Sequence, residues 1–456
     1  MKSEDAEHGN AGWINGRHRE AVWRRCVLMS LSAFVCAFIL FAALPAYAYG
    51  TGLKESTDHH TLEIYGNANE DDTIDMRDVT YIKLVIFGKK PETKFCDANY
   101  DGRVSMLDVV QTKLIIVGKE AKLTIVDSAN RIVTVEKPID RVVSFSALPV
   151  ETMRSIKAID KVVGVGESMI NDIFFPEFSE QQSIGTVFSP DYERILELQP
   201  DLVFLYAGSP ESKFWSRYEE IQNTIESAGI TVVRIDLKGT ETNVYVEEVK
   251  KLGYILDKEE EAQEFIDFYL NWMNTINERI RGLSEEDKPK VYYESYRAPY
   301  KVYGGGDRGR KVEAAGGKNI FSDLPDFTEV DPEEVIKRDP EIILKMVGKI
   351  PGGWFGGGYP LDKGDVTIFK TVREEIMSRP ELQNVTAVRE GKVYIIAYSI
   401  IYSRPFIGIG YLAKWFHPEL FKDLDPKAIH QEYLTRFQGL DIDLDEKGVF
   451  VYPEPS

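Results

Sequence analysis

Apolar residues recur at helical spacing throughout 242–283, with no proline and with Gly253 as the one glycine before Gly282. That run dictates the layout around it, because it predicts one long helix, bent at Gly253 and ended by Gly282. Before it, short apolar runs at 141–146, 162–165, 202–206 and 231–235 alternate with helical stretches at 148–156, 192–198 and 215–228. After it, strands at 290–296, 342–346 and 392–397 alternate with helices at 310–315, 332–337, 371–379 and 405–416. Strands separated by helices form parallel sheets covered on both faces. The expectation is an α/β chain of two sheet lobes, 121–241 and 284–456, joined through 242–283. A cleft between such lobes bends only slightly and suits the clasping of a small molecule.

Composition narrows the partners. A chain of 456 residues is too long for one ordinary core. Its net charge of −19 argues against nucleic acid or an anionic membrane surface, both of which favour a basic face. Cys26 and Cys36 fall in the apolar run 26–44, which leaves Cys96 with no internal disulfide partner and excludes a thiolate cluster for zinc or iron–sulfur. The apolar run follows Arg24 and Arg25 and ends near Ala46-Tyr47-Ala48, a small-x-small cleavage pattern. Residues 1–48 therefore read as a signal peptide or an N-terminal anchor, which implies export to the extracellular face of the membrane or the cell surface.

Two acidic stretches, NANEDDTIDMRD at 67–78 and DANYDGRVSMLD at 97–108, repeat in register. Side-chain oxygens fall at loop positions 1, 3, 5, 9 and 12: Asn67, Asn69, Asp71, Asp75 and Asp78, then Asp97, Asn99, Asp101, Ser105 and Asp108. Position 7, Thr73 or Arg103, offers its backbone carbonyl, so each loop has the oxygens that a calcium ion collects. Gly102 supplies the sharp turn at position 6. Asp72 replaces it in the first copy, where a left-handed backbone costs about 1 kcal/mol, so the first loop is expected to be the weaker. Apolar-periodic helices follow each loop and close at Gly88 and Gly118. This pair, covering about 62–120, resembles a type I dockerin, a small all-α double calcium-loop module with aspartate at position 12 and no incoming helix. The resemblance implies two structural calcium ions and a cohesin-domain partner. Met76-Arg77 and Met106-Leu107 stand where many dockerins carry a Ser-Thr pair for cohesin recognition, and the alternative is a calcium-stabilised module with no cohesin.

The body carries RVVSFS, PDYERILELQPDLVFLY, LGYILDKEEEAQEFIDFY, AAGGKNIFSDLPDFTEVDPEEVIKRDPEIILKM, and AVREGKVYII followed by LAKWFHPELF. In this order, over about 122–437, it resembles the helical-linker periplasmic-binding family for iron-siderophore, haem and cobalamin uptake. The resemblance implies two Rossmann-like lobes joined by one long helix, and a non-enzymatic solute-binding component of an ABC importer. It also implies permease docking through Glu193 in PDYERI and Glu333 in VDPEEV, one glutamate on each lobe offered to permease arginines.

The ligand is read from what the cleft can offer. The histidines, His8, His18, His59, His60, His417 and His430, supply no cleft-facing set for bare zinc or manganese. A pre-formed chelate follows, an iron complex of siderophore type, with haem or a corrinoid such as cobalamin as the alternative. Candidate contacts after strand ends are Tyr206, Tyr293, Tyr296, Arg297, Tyr300, Trp354, Tyr398, Tyr402 and Arg404. Arginine pairs bidentately with oxygen ligands and tyrosine gives flat amphipathic walls. GGGDRG at 304–309 fits G-x-G-x-x-G after a strand, and is read as a cleft-facing loop whose amides receive an anionic part of the chelate rather than as a dinucleotide site. Two other functions compete: a dockerin-bearing cell-surface assembly protein, and a polysaccharide-degrading enzyme. No acidic pair, Ser-His-Asp set or nucleophile elbow stands out for the enzyme.

Overall fold

A computed structural model describes residues 61–208, 214–238, 241–350, 353–354 and 358–455, with 349, 350, 353 and 354 described by backbone alone. The expected signal or anchor at 1–48, with Cys26 and Cys36, lies outside the described residues. Among the described residues no helix is long and apolar enough to cross a membrane.

The two acidic repeats build two matching helices, α1 (Met76–Ile86) and α2 (Met106–Ile116). Each starts with a reciprocal capping box in which loop position 9 caps the helix and position 12 reaches back: Asp75 with Asp78, Ser105 with Asp108. Gly88 at φ 65° and Gly118 at φ 60° end them in the left-handed conformation that glycine adopts cheaply. Ala68, Val79, Ile82, Cys96 and Val109 form the core between the helices.

The strain expected at Asp72 is absent. The left-handed non-glycine residues in the loops are Glu70 at φ 58° and Tyr100 at φ 56°, position 4 in both copies. Asp72 is instead turned towards the body of the protein, where Lys250 Nζ donates to its carbonyl at 2.8 Å and to Oδ2 at 2.9 Å.

The repeat unit is also no separate bead. Ile64 bridges Ile125 as an antiparallel strand partner, and Leu62, Ile64, Ile74 and Ile115 are buried in the same core as Val150 and Met153 of the first lobe. A hairpin, β1 (Lys122–Val126) and β2 (Ile132–Glu136), carries this junction into the first lobe. Residues 59–456 accordingly form one compact unit.

The first lobe contains β3 (Val142–Ser144), α3 (Ala147–Ser155), β4 (Val162–Val165), α4 (Tyr192–Glu197), β5 (Leu202–Tyr206), α5 (Trp215–Ser227) and β6 (Thr231–Ile235). Its sheet is all parallel, in the order β4-β3-β5-β6.

The expected single long helix is two: α6 (Thr242–Leu256) and α7 (Glu259–Ile280). The break falls at Asp257, a left-handed residue at φ 55° whose carboxylate lies 2.5 Å from Lys137 Nζ. Gly253 is no bend. A Cβ there would sit 2.9 Å from the Ala262 Cβ, so the glycine lets α7 fold back against α6. The tyrosine rings of Tyr245 and Tyr269 meet at 4.7 Å further along the same pair.

The second lobe contains β7 (Lys290–Glu294), β8 (Lys301–Val302), β9 (Thr328–Glu329), α8 (Pro332–Arg338), β10 (Ile342–Val347), β11 (Gly358–Asp362), α9 (Thr367–Met377), β12 (Val393–Ala397), α10 (Pro405–Phe416), α11 (Pro426–Glu432) and β13 (Val451–Tyr452). Its main sheet runs β9-β8-β7-β10-β12-β13, with parallel pairing at its centre. Glu294, at the end of β7 and fully buried, accepts from Arg379 Nη1 at 2.7 Å, Lys345 Nζ at 2.8 Å and the Tyr292 hydroxyl at 2.9 Å. Burial acts to raise its carboxyl, and the two cations outweigh that and hold it below the usual 4.5.

Glu294→Gln leaves Lys345 buried without its counter-charge and Arg379 with Glu375 alone, and is expected to cost about 3–5 kcal/mol in chemical denaturation at neutral pH. A depressed folded-state pKa stabilises above the unfolded value, so the difference from wild type shrinks as pH falls below 4.5 through the lower folded value.

Candidate ligand cleft and calcium loops

The C-terminal ends of the parallel strands open into a cleft of about 600 Å³ between the lobes. Ligands of α/β sheets bind at such strand ends because the loops there are free to vary. From the first lobe come Phe145 and Ser146 after β3, the segment Asn171–Phe175 after β4, Tyr206 at the end of β5, and Lys238 after β6. From the second come Gly348 after β10, Tyr359 on β11, and Tyr398, Tyr402 and Arg404 after β12.

Arg404 is already engaged. Its Nη2 donates to Glu151 Oε2 at 2.9 Å and its Nε lies 2.8 Å from Oε1, with both side chains 5% exposed. Tyr433 donates to Glu151 Oε1 at 2.6 Å, and the guanidinium sits 3.7 Å from the Phe174 ring. Burial raises the Glu151 carboxyl, and Arg404 is the largest influence pulling it back. The pair crosses from one lobe to the other at the cleft floor, so the charge of Arg404 is already countered by Glu151.

The other cation of the described lining is Lys238, with its Nζ 3.1 Å above the Tyr206 ring and 5.7 Å from that of Tyr402 on the opposite lobe. Burial raises the phenols of Tyr206 and Tyr398, so both remain hydroxyl donors. Behind this wall Arg308 lies 4.7 Å from the Tyr402 ring and 5.0 Å from that of Phe327. His430 meets the Tyr359 hydroxyl at 2.7 Å, and burial pulls its imidazole well below 6.5, leaving it neutral.

Of the sequence-derived contacts, Tyr206, Tyr398, Tyr402 and Arg404 come together in the cleft. Tyr293 is buried in the second lobe, with its hydroxyl 3.7 Å from Met346 Sδ. Tyr296 packs against Tyr398 from behind, Arg297 stacks 3.8 Å from Phe327, and Tyr300 turns away to Glu381. The side chain of Trp354 lies outside the described residues. Glu151, Phe174, Lys238 and Tyr359 escaped sequence reasoning. Lys238 alone had a signal, being a cation just past a strand.

The glycines of 304–309 answer to packing. A Cβ on Gly304 would lie 1.9 Å from the Leu324 carbonyl, and the Gly304 and Arg308 amides already donate to the Asp326 carboxylate. The amides of Gly304, Gly305 and Arg308 are thus occupied within the protein. Glu193 and Glu333 stand exposed in the first turns of α4 and α8, one on each lobe, and neither has an ion-pair partner among the described residues.

In the loops, the position-12 carboxylates bind the amides of positions 3 and 9 in both copies: Asp78 to Asn69 and Asp75, Asp108 to Asn99 and Ser105. Burial pushes Asp78 up to about 6 and raises Asp108. Asn67 Nδ2 donates to the Leu62 and Asp71 carbonyls, leaving Oδ1 buried without a hydrogen-bond partner at position 1. An orphaned oxygen beside buried carboxylates fits a cation. Among the described residues no group of three or more His, Cys, Asp or Glu side chains is arranged to hold a metal, so such a site draws on asparagine amides and backbone carbonyls too. Arg77 partly fills that role in the first loop, 3.1 Å from Asp71 and 2.9 Å from Asp75, whereas in the second Arg103 reaches only 4.0 Å from Asp101.

Glu151→Gln is expected to cost about 3–5 kcal/mol in equilibrium unfolding by leaving Arg404 buried and unpaired, while the double change Glu151→Met/Arg404→Met recovers most of the loss.

The chain is 21% identical over 340 residues to the molybdate-binding protein MolA of Haemophilus influenzae, covering 69% of this chain and 90% of that protein. It is 27% identical over 191 residues to the vitamin B12-binding protein of Salmonella typhimurium, 41% of this chain and 66% of that protein. Among solved structures, the TroA-like periplasmic binding protein FepB from Veillonella parvula superposes with a TM-score of 0.60 at 24% identity, covering 72% of this chain and 98% of that one. The family model described as periplasmic binding protein matches residues 142–398, more than half of the chain, and with the two-lobe fold around a strand-end cleft it makes this protein a member of the periplasmic binding protein family.

Proposed function

We propose that the protein captures a metal chelate outside the cytoplasm and delivers it to an ABC permease, with an iron complex of siderophore type as the ligand. The observation that carries this reading is the cleft itself. Its roughly 600 Å³ suits a drug-sized organic molecule. Its walls are Phe174, Tyr206, Tyr359, Tyr398 and Tyr402, and its arginine is neutralised from within. Flat aromatic faces and hydroxyl donors match a large chelate better than a small bare oxyanion. Haem or a corrinoid is the second reading, supported by the vitamin B12-binding relative. Neither requires catalysis, and the family consists of solute binders rather than enzymes. Glu193 and Glu333 are the proposed contacts for permease arginines.

The loop module is read as binding two calcium ions, the first loop more weakly. The orphaned Asn67 Oδ1 supports the ion of the first loop, the repeated ligand spacing supports the second, and Arg77 supports the ranking in place of the backbone strain expected from sequence. Exposed Met76, Met106 and Leu107 at positions 10 and 11 offer an apolar face to a cohesin-type partner.

A ferric siderophore at about 100 times its Kd is expected to add about 2.7 kcal/mol of stability. If thermal unfolding does not move with ferric chelate, haem or corrinoid, the uptake reading is wrong. Glu193→Ala and Glu333→Ala should lower uptake by whole cells while leaving ligand affinity unchanged. Calorimetric titration should find two calcium ions per chain, and Arg77→Ala should tighten the weaker one.

A further inference from the structure

The arc of the first loop that must hold its shape around an ion is fastened to α6, the first of the two helices in the lobe-joining segment. Lys250 binds Asp72 at position 6 through both carbonyl and carboxylate, at 2.8 and 2.9 Å. One turn further on, the Tyr254 hydroxyl accepts from the Ile74 amide at 3.3 Å, position 8, and the Ile74 side chain is buried in the body core. Position 7, the carbonyl donor to calcium, lies between these two anchors. A third tie closes the set: Lys137 Nζ joins Glu120, just beyond α2, to the Tyr254 carbonyl and to Asp257 at the α6–α7 break, at 2.6, 2.7 and 2.5 Å. Among the described residues the second loop has no such attachment to α6. A Cβ on Gly102 would meet nothing within 4 Å, and Val104, the counterpart of Ile74, packs only within the module's own core.

We infer that calcium in the first loop, and not in the second, braces α6 and thereby stiffens the segment joining the two lobes. This rests on the calcium reading. An ion at positions 1, 5 and 7 fixes the arc that Lys250 and Tyr254 hold, so opening α6 has to release the ion or distort its site. Binding to one state of such an equilibrium slows the opening in proportion to ligand over Kd, and the coupling is reciprocal.

Hydrogen exchange of the α6 amides in the full chain, with and without calcium chloride, tests it. Calcium at about ten times the Kd of the weaker site should slow exchange of 242–256 roughly tenfold. Asp97→Ala, which disables the second loop, should keep that protection. Asn67→Ala should lose it, and so should Lys250→Met/Tyr254→Phe, a pair outside the ion's ligands that still binds two ions by calorimetry. Two bound ions with unchanged α6 exchange, or protection that follows the second loop, would overturn the inference alone. No ion at the first loop would overturn the calcium reading as well.

Discussion

A carboxylate buried where two lobes meet has to be answered by both of them, and Glu151 sets that requirement. It projects from α3 of the first lobe and takes its cation, Arg404, and its hydroxyl donor, Tyr433, from the second. Gln438 adds directional bonds to the Glu151 carbonyl at 3.2 Å and to Ser155 Oγ at 2.7 Å, and receives Arg154 Nη1 at 3.1 Å. Such bonds tolerate little change in distance or angle inside a low-dielectric interior. That arrangement ties the two lobes together at the cleft floor and counters the charge of Arg404 there. The rest of the described lining offers a ligand aromatic surface, hydroxyls, Lys238, Asn171 and the Asp172 carboxylate.

Periodicity made the alternating strands and helices legible, because each strand buried on both faces is a short apolar run and each helix keeps a polar face. The loops were legible for a different reason: their ligand spacing repeats in register, and the capping boxes of α1 and α2 reuse the same side chains. The break at Asp257 was hidden, since neither glycine nor proline marks it and the acidic run after it reads as more helix. Its carboxylate partner, Lys137, is distant in sequence. The Glu151–Arg404 pair was hidden for the same reason, because partners 253 positions apart leave no local pattern. Tyr293 shows the opposite failure. It sits at a strand end like a cleft residue, yet its side chain points into the sheet's own core.

The loop module gained most from its surroundings. Read alone, Asp72 is a poor residue for position 6 of a calcium loop. In place it belongs to a junction made of a strand bridge at Ile64, a shared apolar core and the Lys250 contact. A substitution that weakens an isolated loop therefore adds to the attachment of that loop to its neighbour.

The fold-back at Asp257 has a mechanical consequence. Two rods glued along their length resist bending far more than one rod of their combined length, and α6 and α7 are glued through Gly253 against Ala262 and Tyr245 against Tyr269. A pair of that kind bends little along its length. The segment between the lobes then acts as a stiff spacer and not as a flexible strap.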